Sequence, residues 1–159
     1  MSEITAYHEA GHAFAAVYFG ARVCSVTIEP DWDDGPDRFG DTRIEWDHFQ
    51  FTQRELHQKM IFVALAGPAA EMVHSGDPYH PGLVAEWKTD WDLAWEAAVP
   101  LEVDQQKRLA LLEQVSIELY RLFSRDNIWP GLAAVVDHLL ACETLEGDAV
   151  HEIVSVWIS

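Results

Sequence analysis

His8, Glu9 and His12 form the pattern HExxH inside "TAYHEAGHAFAAVYFG", Thr5 to Gly20, and this pattern constrains the fold more than any other feature of the chain. Two histidines four residues apart on a helix are separated by about 6 Å along the axis and roughly 40° around it, so their imidazoles can converge on one point. That geometry suits a zinc ion. The intervening Glu9 then stands beside the metal, where it can act as general base toward water without being a ligand. A catalytic zinc needs one more protein ligand and an open fourth position, so a chain that uses this motif must bring a distant residue back to its first helix. The competing reading is an accidental motif, which a chain with eight histidines can generate.

The surrounding residues predict that helix. Ile4, Tyr7, Ala10, Phe14, Val17 and Tyr18 recur near helical spacing, and Gly20 follows as a stop. Gly11, in mid-helix, costs about 1 kcal/mol relative to alanine; close approach of another backbone or of substrate would explain it. "ARVCSVTIEP" and "RFGDTRIEW", Arg38 to Trp46, read as strands of a small hairpin or sheet, separated by the acidic turn Asp31 to Asp37. In the next segment, Phe51 to Gly76, Thr52 and Glu55 make a capping box ahead of an apolar helix that ends near Gly76. After "DPYHPG" a helix is expected over Leu83 to Val99, with Trp87, Trp91 and Trp95 on one face as core or interface. Two amphipathic helices and a short last one opening near Asp148 complete the chain. The expected fold is mainly α with a small β-sheet, an α+β arrangement in a single domain over residues 1–159.

Charge narrows the partners. With a formal net charge of -17, most of the surface repels phosphate, so nucleic acid and anionic lipid are excluded as partners. The longest apolar run, Met60 to Val73, is too short to span a bilayer and contains a Gly-Pro break, so no membrane insertion is expected. Cys24 and Cys142 read as buried free thiols of a reducing compartment, and no basic, apolar leader opens the sequence. The expected location is cytoplasmic.

Several stretches, in order, resemble the peptidase domain of the FtsH-type, ATP-dependent zinc metalloproteases: "AYHEAGHAFAAVYFGARVCSVTIEP", "RFGDTRIEW", "FTQRELHQKMIFVALAGPAAEMVHSG", "TDWDLAWEAA" and "LLACETLEGDAVHEIV". The resemblance covers essentially the whole chain, with HEAGH and ETLEG its most specific parts. It implies an FtsH peptidase-like helical fold with HExxH on the first helix, a Zn2+ cofactor, and metalloendopeptidase activity. The family's third ligand is an aspartate followed at four and eight residues by alanine, and Asp90 with Ala94 and Ala98 fits that register. Asp92 competes, although capping by Thr89 would give it another occupation at the third helical position, and Glu86 would make a thermolysin-type ligand set. The family's GxxxxGK[ST] phosphate loop and membrane anchor have no counterpart here.

The expected function is therefore zinc-dependent hydrolysis of flexible or unfolded polypeptides without an ATPase of its own, with His8, His12 and Asp90 on the metal and Glu9 as base. A homo-oligomer, or a separate partner that delivers substrate, is left open. The alternatives are an inactive FtsH-peptidase-like adaptor or regulatory module, and a zinc-free helical interaction protein. Glu71, a carboxylate on an apolar helix, is a candidate to orient a ligand histidine or to form a structural salt bridge or cap. The remaining histidines, His48, His57, His74, His80, His138 and His151, lack ligand spacing, and only His74 and His80 form a pair worth inspecting. The strand from Gly40 to Ile44 is a candidate edge for an added substrate strand.

Overall fold

The computed structural model describes residues 2–29 and 40–158; the acidic turn Asp31 to Asp37 and the start of the expected second strand, Arg38 and Phe39, lie outside the described residues. Helix α1 (Ser2–Tyr18) carries the HExxH motif and is followed by strands β1 (Arg22–Thr27) and β2 (Asp41–Glu45). Helix α2 (Gln53–Ser75) leads through two 3-10 turns, Pro81–Leu83 and Ala85–Trp87, into α3 (Lys88–Ala98). Then come α4 (Gln105–Phe123), α5 (Trp129–Cys142), β3 (Thr144–Glu146) and α6 (Gly147–Ile158). The fold is mainly helical with one small antiparallel sheet, as the periodicity of the sequence predicts.

Local chemistry accounts for the ends of α2. The Thr52 hydroxyl accepts the Glu55 N–H at 3.1 Å while the Glu55 carboxylate accepts the Thr52 N–H at 3.0 Å, the expected capping box. At the other end Gly76 takes a left-handed conformation, φ 79°, and its N–H closes on the Met72 carbonyl. The sheet is larger than expected: β3 pairs with β1 and gives the order β2-β1-β3. Three residues are too few to announce a strand by periodicity; only Leu145 of β3 points inward. The register of β1 shifts between Val23 and Ser25, and there the Val23 N–H donates to His151 Nε2 at 3.0 Å.

Two other expectations are corrected. Leu83 to Val99 is not one helix, because α3 begins only at Lys88 and has no side-chain N-cap, so Thr89 lies inside it. Asp92 instead makes an i, i+4 ion pair with Lys88, 2.6 Å apart. Both cysteines are free, but Cys142 is exposed at the end of α5 and Cys24 only half-buried.

The core lies around α1, which packs against α2 and α5, while α2 also packs against α3 and α4. Small side chains let α1 and α2 approach closely: Ala6, Ala10 and Ala13 on one, Ala66, Ala69 and Ala70 on the other, all with no exposed area. Gly11 sits at the tightest point, where a Cβ would lie 2.5 Å from the Ala66 carbonyl oxygen and 2.7 Å from the Ala70 methyl. The close approach expected of Gly11 is thus to the backbone of α2. Helix propensity alone would favour Gly11→Ala by about 1 kcal/mol; overpacking against a backbone that cannot yield is expected to reverse the sign and cost about 1–3 kcal/mol, measurable by urea denaturation.

Candidate metal centre

Helices α1 and α3, both packed against α2, bring His8, His12 and Asp90 together. His8 Nε2 lies 2.8 Å from Asp90 Oδ2, His12 Nε2 lies 3.4 Å from the same oxygen, and the two Nε2 atoms are 3.1 Å apart. Ligands about 2.0–2.1 Å from a tetrahedral zinc stand roughly 3.3 Å from one another, which these separations approach. Asp90 reaches the centre because it shares a helical stripe with Ala94 and Ala98, both fully buried. Asp92, two residues on, is turned outward and exposed, and Glu86 is exposed in the preceding 3-10 turn; neither joins the cluster.

What surrounds the imidazoles defines their tautomers. His8 Nδ1 donates to Glu71 Oε2 at 2.6 Å, and His12 Nδ1 donates to the Val63 carbonyl at 2.7 Å. A carbonyl can only accept, so in the neutral His12 ring Nε2 carries the bare lone pair; the carboxylate of Glu71 imposes the same on His8. Two imidazole lone pairs and a carboxylate then face one point, an arrangement that a cation would satisfy. The donor set fits zinc, and the acceptors behind each ring are the kind that hold metal-bound histidines in orientation.

A proton is the other cation that fits. Burial opposes charge on His8, but its contacts with Asp90 and Glu71 outweigh this and raise its pKa to about 10. Burial likewise opposes charge on His12, and Asp90 again wins and moves it upward. Asp90 is itself held well below the usual carboxylate range, since His12 and His8 overcome the burial that would raise it. A metal ion entering this cluster would therefore displace protons. With the folded pKa of His8 above its ordinary 6.5, zinc affinity is expected to increase as pH rises toward about 10. Calorimetry at pH 7 in buffers of different ionisation enthalpy should record the proton release.

Glu71 is the orienting carboxylate for His8, and it does more than the sequence disclosed. The same Oε2 accepts the indole N–H of Trp87 at 2.7 Å, which ties α1, α2 and the turn before Asp90 through one atom. Trp87 is buried, whereas Trp91 and Trp95 stack on each other at 6.4 Å with Arg108 over Trp95 at 4.8 Å. His74 and His80 take separate partners: His74 stacks on Tyr7 at 3.8 Å, and His80 meets Glu113 at 3.0 Å.

Glu9 is 7% exposed, and its Oε1 accepts a hydrogen bond from the Thr42 hydroxyl at 2.7 Å. Beside the centre a cleft of about 470 Å³ is lined by Ile4, Tyr79, Val84 and Trp87, with Glu71 and His74 at its polar side.

Gly67, Val63, Trp87 and Thr42 are members of the site that pattern reasoning missed. Gly67 had a signal, a helix glycine in an apolar run. A Cβ there would collide with His12 Nε2 and come within 2.8 Å of His8 Nε2. Gly67→Ala is expected to leave the helical circular dichroism intact while weakening zinc binding about tenfold or more, read by competition with a chromogenic chelator. In comparisons with known proteins the chain matches no family model and no curated relative.

Proposed function

We propose that this chain is a zinc-dependent metalloendopeptidase that hydrolyses peptide bonds in flexible or unfolded polypeptides. The observation that carries the reading is the convergence of His8, His12 and Asp90 on one point with a further buried carboxylate, Glu9, next to a ligand but outside the ligand set. Three protein ligands leave a tetrahedral ion one open position, the mark of catalytic and not structural sites. Zinc held there would supply Lewis acidity toward a scissile carbonyl and bring the pKa of water toward neutrality.

The chain's own residues supply the rest. Glu9 takes a proton from the attacking water as the new C–O bond forms, then gives it to the departing amine as the C–N bond breaks. Glu71 and the Val63 carbonyl keep both imidazoles aimed while this happens. Strand β2 is at the edge of the described sheet, and Thr42 from that strand touches Glu9. An extended peptide added to this edge would run past the base, and only a segment free of its own backbone partners can pair that way. This supports flexible or unfolded chains as the substrate class. The apolar cleft beside Trp87 offers room for a substrate side chain.

Glu9→Gln is expected to keep zinc at the parent stoichiometry and to lose about a hundredfold or more of the cleavage rate on a permanently unfolded polypeptide. Chelation should abolish cleavage, and added zinc should restore it. Parent-like cleavage by Glu9→Gln would show that the base is another group, and a zinc-loaded parent that cleaves nothing would be a binding module instead.

A further inference from the structure

We propose that Thr42 is the positioning residue for Glu9, holding the base in the orientation that its reaction requires. The inference rests on the peptidase reading for its consequence but on separate atoms for its geometry. The Thr42 hydroxyl lies 2.7 Å from Glu9 Oε1 and 3.2 Å from the Glu9 main-chain oxygen. A hydroxyl has one hydrogen to donate, and the shorter, charge-assisted bond to the carboxylate takes it. The bond to Oε1 alone therefore ties the glutamate side chain to β2.

Gly40 closes the same side. A Cβ at this residue would lie 2.9 Å from Glu9 Cγ and 3.1 Å from Glu9 Oε2, so the chain entering β2 presses on the glutamate stem. Glu9 is thus confined from a strand 33 positions away in sequence. With Oε1 held by Thr42, Oε2 is the oxygen left to receive the proton of the attacking water. A glutamate without this contact has three rotatable bonds and spends less time in the productive orientation, which lowers turnover more than substrate affinity.

The strand that orients the base is also the strand at the edge of the described sheet. A peptide docked along β2 would bind the element on which the base depends, and binding and positioning would share one rigid support. Sequence spacing offers no hint of this, because threonine is a common strand residue with no catalytic signature.

The test uses the full chain loaded with zinc and an internally quenched, unfolded peptide. Thr42→Val keeps the shape and removes the hydroxyl. It is expected to lower kcat about tenfold or more with KM changed by less than about threefold and with zinc content unchanged. Thr42→Ser, which restores the hydroxyl, is expected to recover most of that loss. A Thr42→Val enzyme with parent-like kcat overturns the proposal, as does a Thr42→Ser enzyme no better than Thr42→Val. A second measurement needs no activity. Thr42→Val should lower the urea midpoint of the parent, and this shift should shrink by more than about half in a Glu9→Met background, where the acceptor is gone. Equal shifts in the two backgrounds overturn the contact. If the parent cleaves no peptide, the peptidase reading falls while the midpoint comparison still decides whether Thr42 holds Glu9.

Discussion

Backbone-level approach of α1 to α2 is the constraint on which the remaining structure depends. Gly11 brings one helix against the Ala66 carbonyl, and Gly67 leaves room for the two imidazoles in the space between them. Only at this separation can His12 reach the Val63 carbonyl and His8 reach Glu71. Pro68, inside α2, removes the N–H that Ala64 would otherwise receive, and the carbonyl one residue earlier takes the His12 ring. A larger residue at Gly11 would separate the helices, and one at Gly67 would displace the imidazoles of His8 and His12. Packing and chemistry are therefore the same contact.

Around that contact the electrostatics run against simple stability. Two imidazoles and the carboxylates of Glu9, Glu71 and Asp90 stand in an interface otherwise lined by alanine, valine and leucine. Buried charges of this kind cost more to desolvate than their pairing returns unless every lone pair finds a partner, and apolar side chains would fill the space at lower cost. The pKa shifts of three members express the same tension: burial opposes charge on His8, His12 and Asp90, and their mutual contact outweighs it. A cluster like this, beside an apolar cleft, is unusual for a core, and it is what supports the proposed peptidase reading.

His8, His12, Glu9 and Glu71 each take a partner from another element. Glu71 of α2 holds His8 of α1; Trp87, from the turn before α3, holds Glu71; Thr42 of β2 holds Glu9. Single-atom ties between elements make the geometry cooperative, since moving any one partner loosens the next. Asp90 gains its position from the buried alanine stripe of α3, and the Lys88 ion pair occupies Asp92 on the outer face.

Much of this was legible in the residues themselves. The first helix, the capping box of Thr52 and Glu55, the Gly76 stop and the helical class follow from local rules, because they depend on neighbours within one or two turns. HExxH named His8, Glu9 and His12 for the same reason: i, i+4 spacing is a local geometry. Choosing Asp90 over Asp92 needed a family resemblance, since both lie on the same short segment and only the buried stripe distinguishes them. Strand β3, the fragmentation of Leu83 to Trp87 into 3-10 turns, and the outward turn of Cys142 were not foreseeable, being set by neighbours far along the chain. The partners that orient the centre, Val63, Trp87, Gly67 and Thr42, belong to the same class. The sequence by itself determined which groups can bind a metal and accept a proton, through side-chain chemistry and helical spacing. Tertiary structure alone decided which of them meet and what holds them there, because contacts between residues tens of positions apart arise from packing, which no local pattern records.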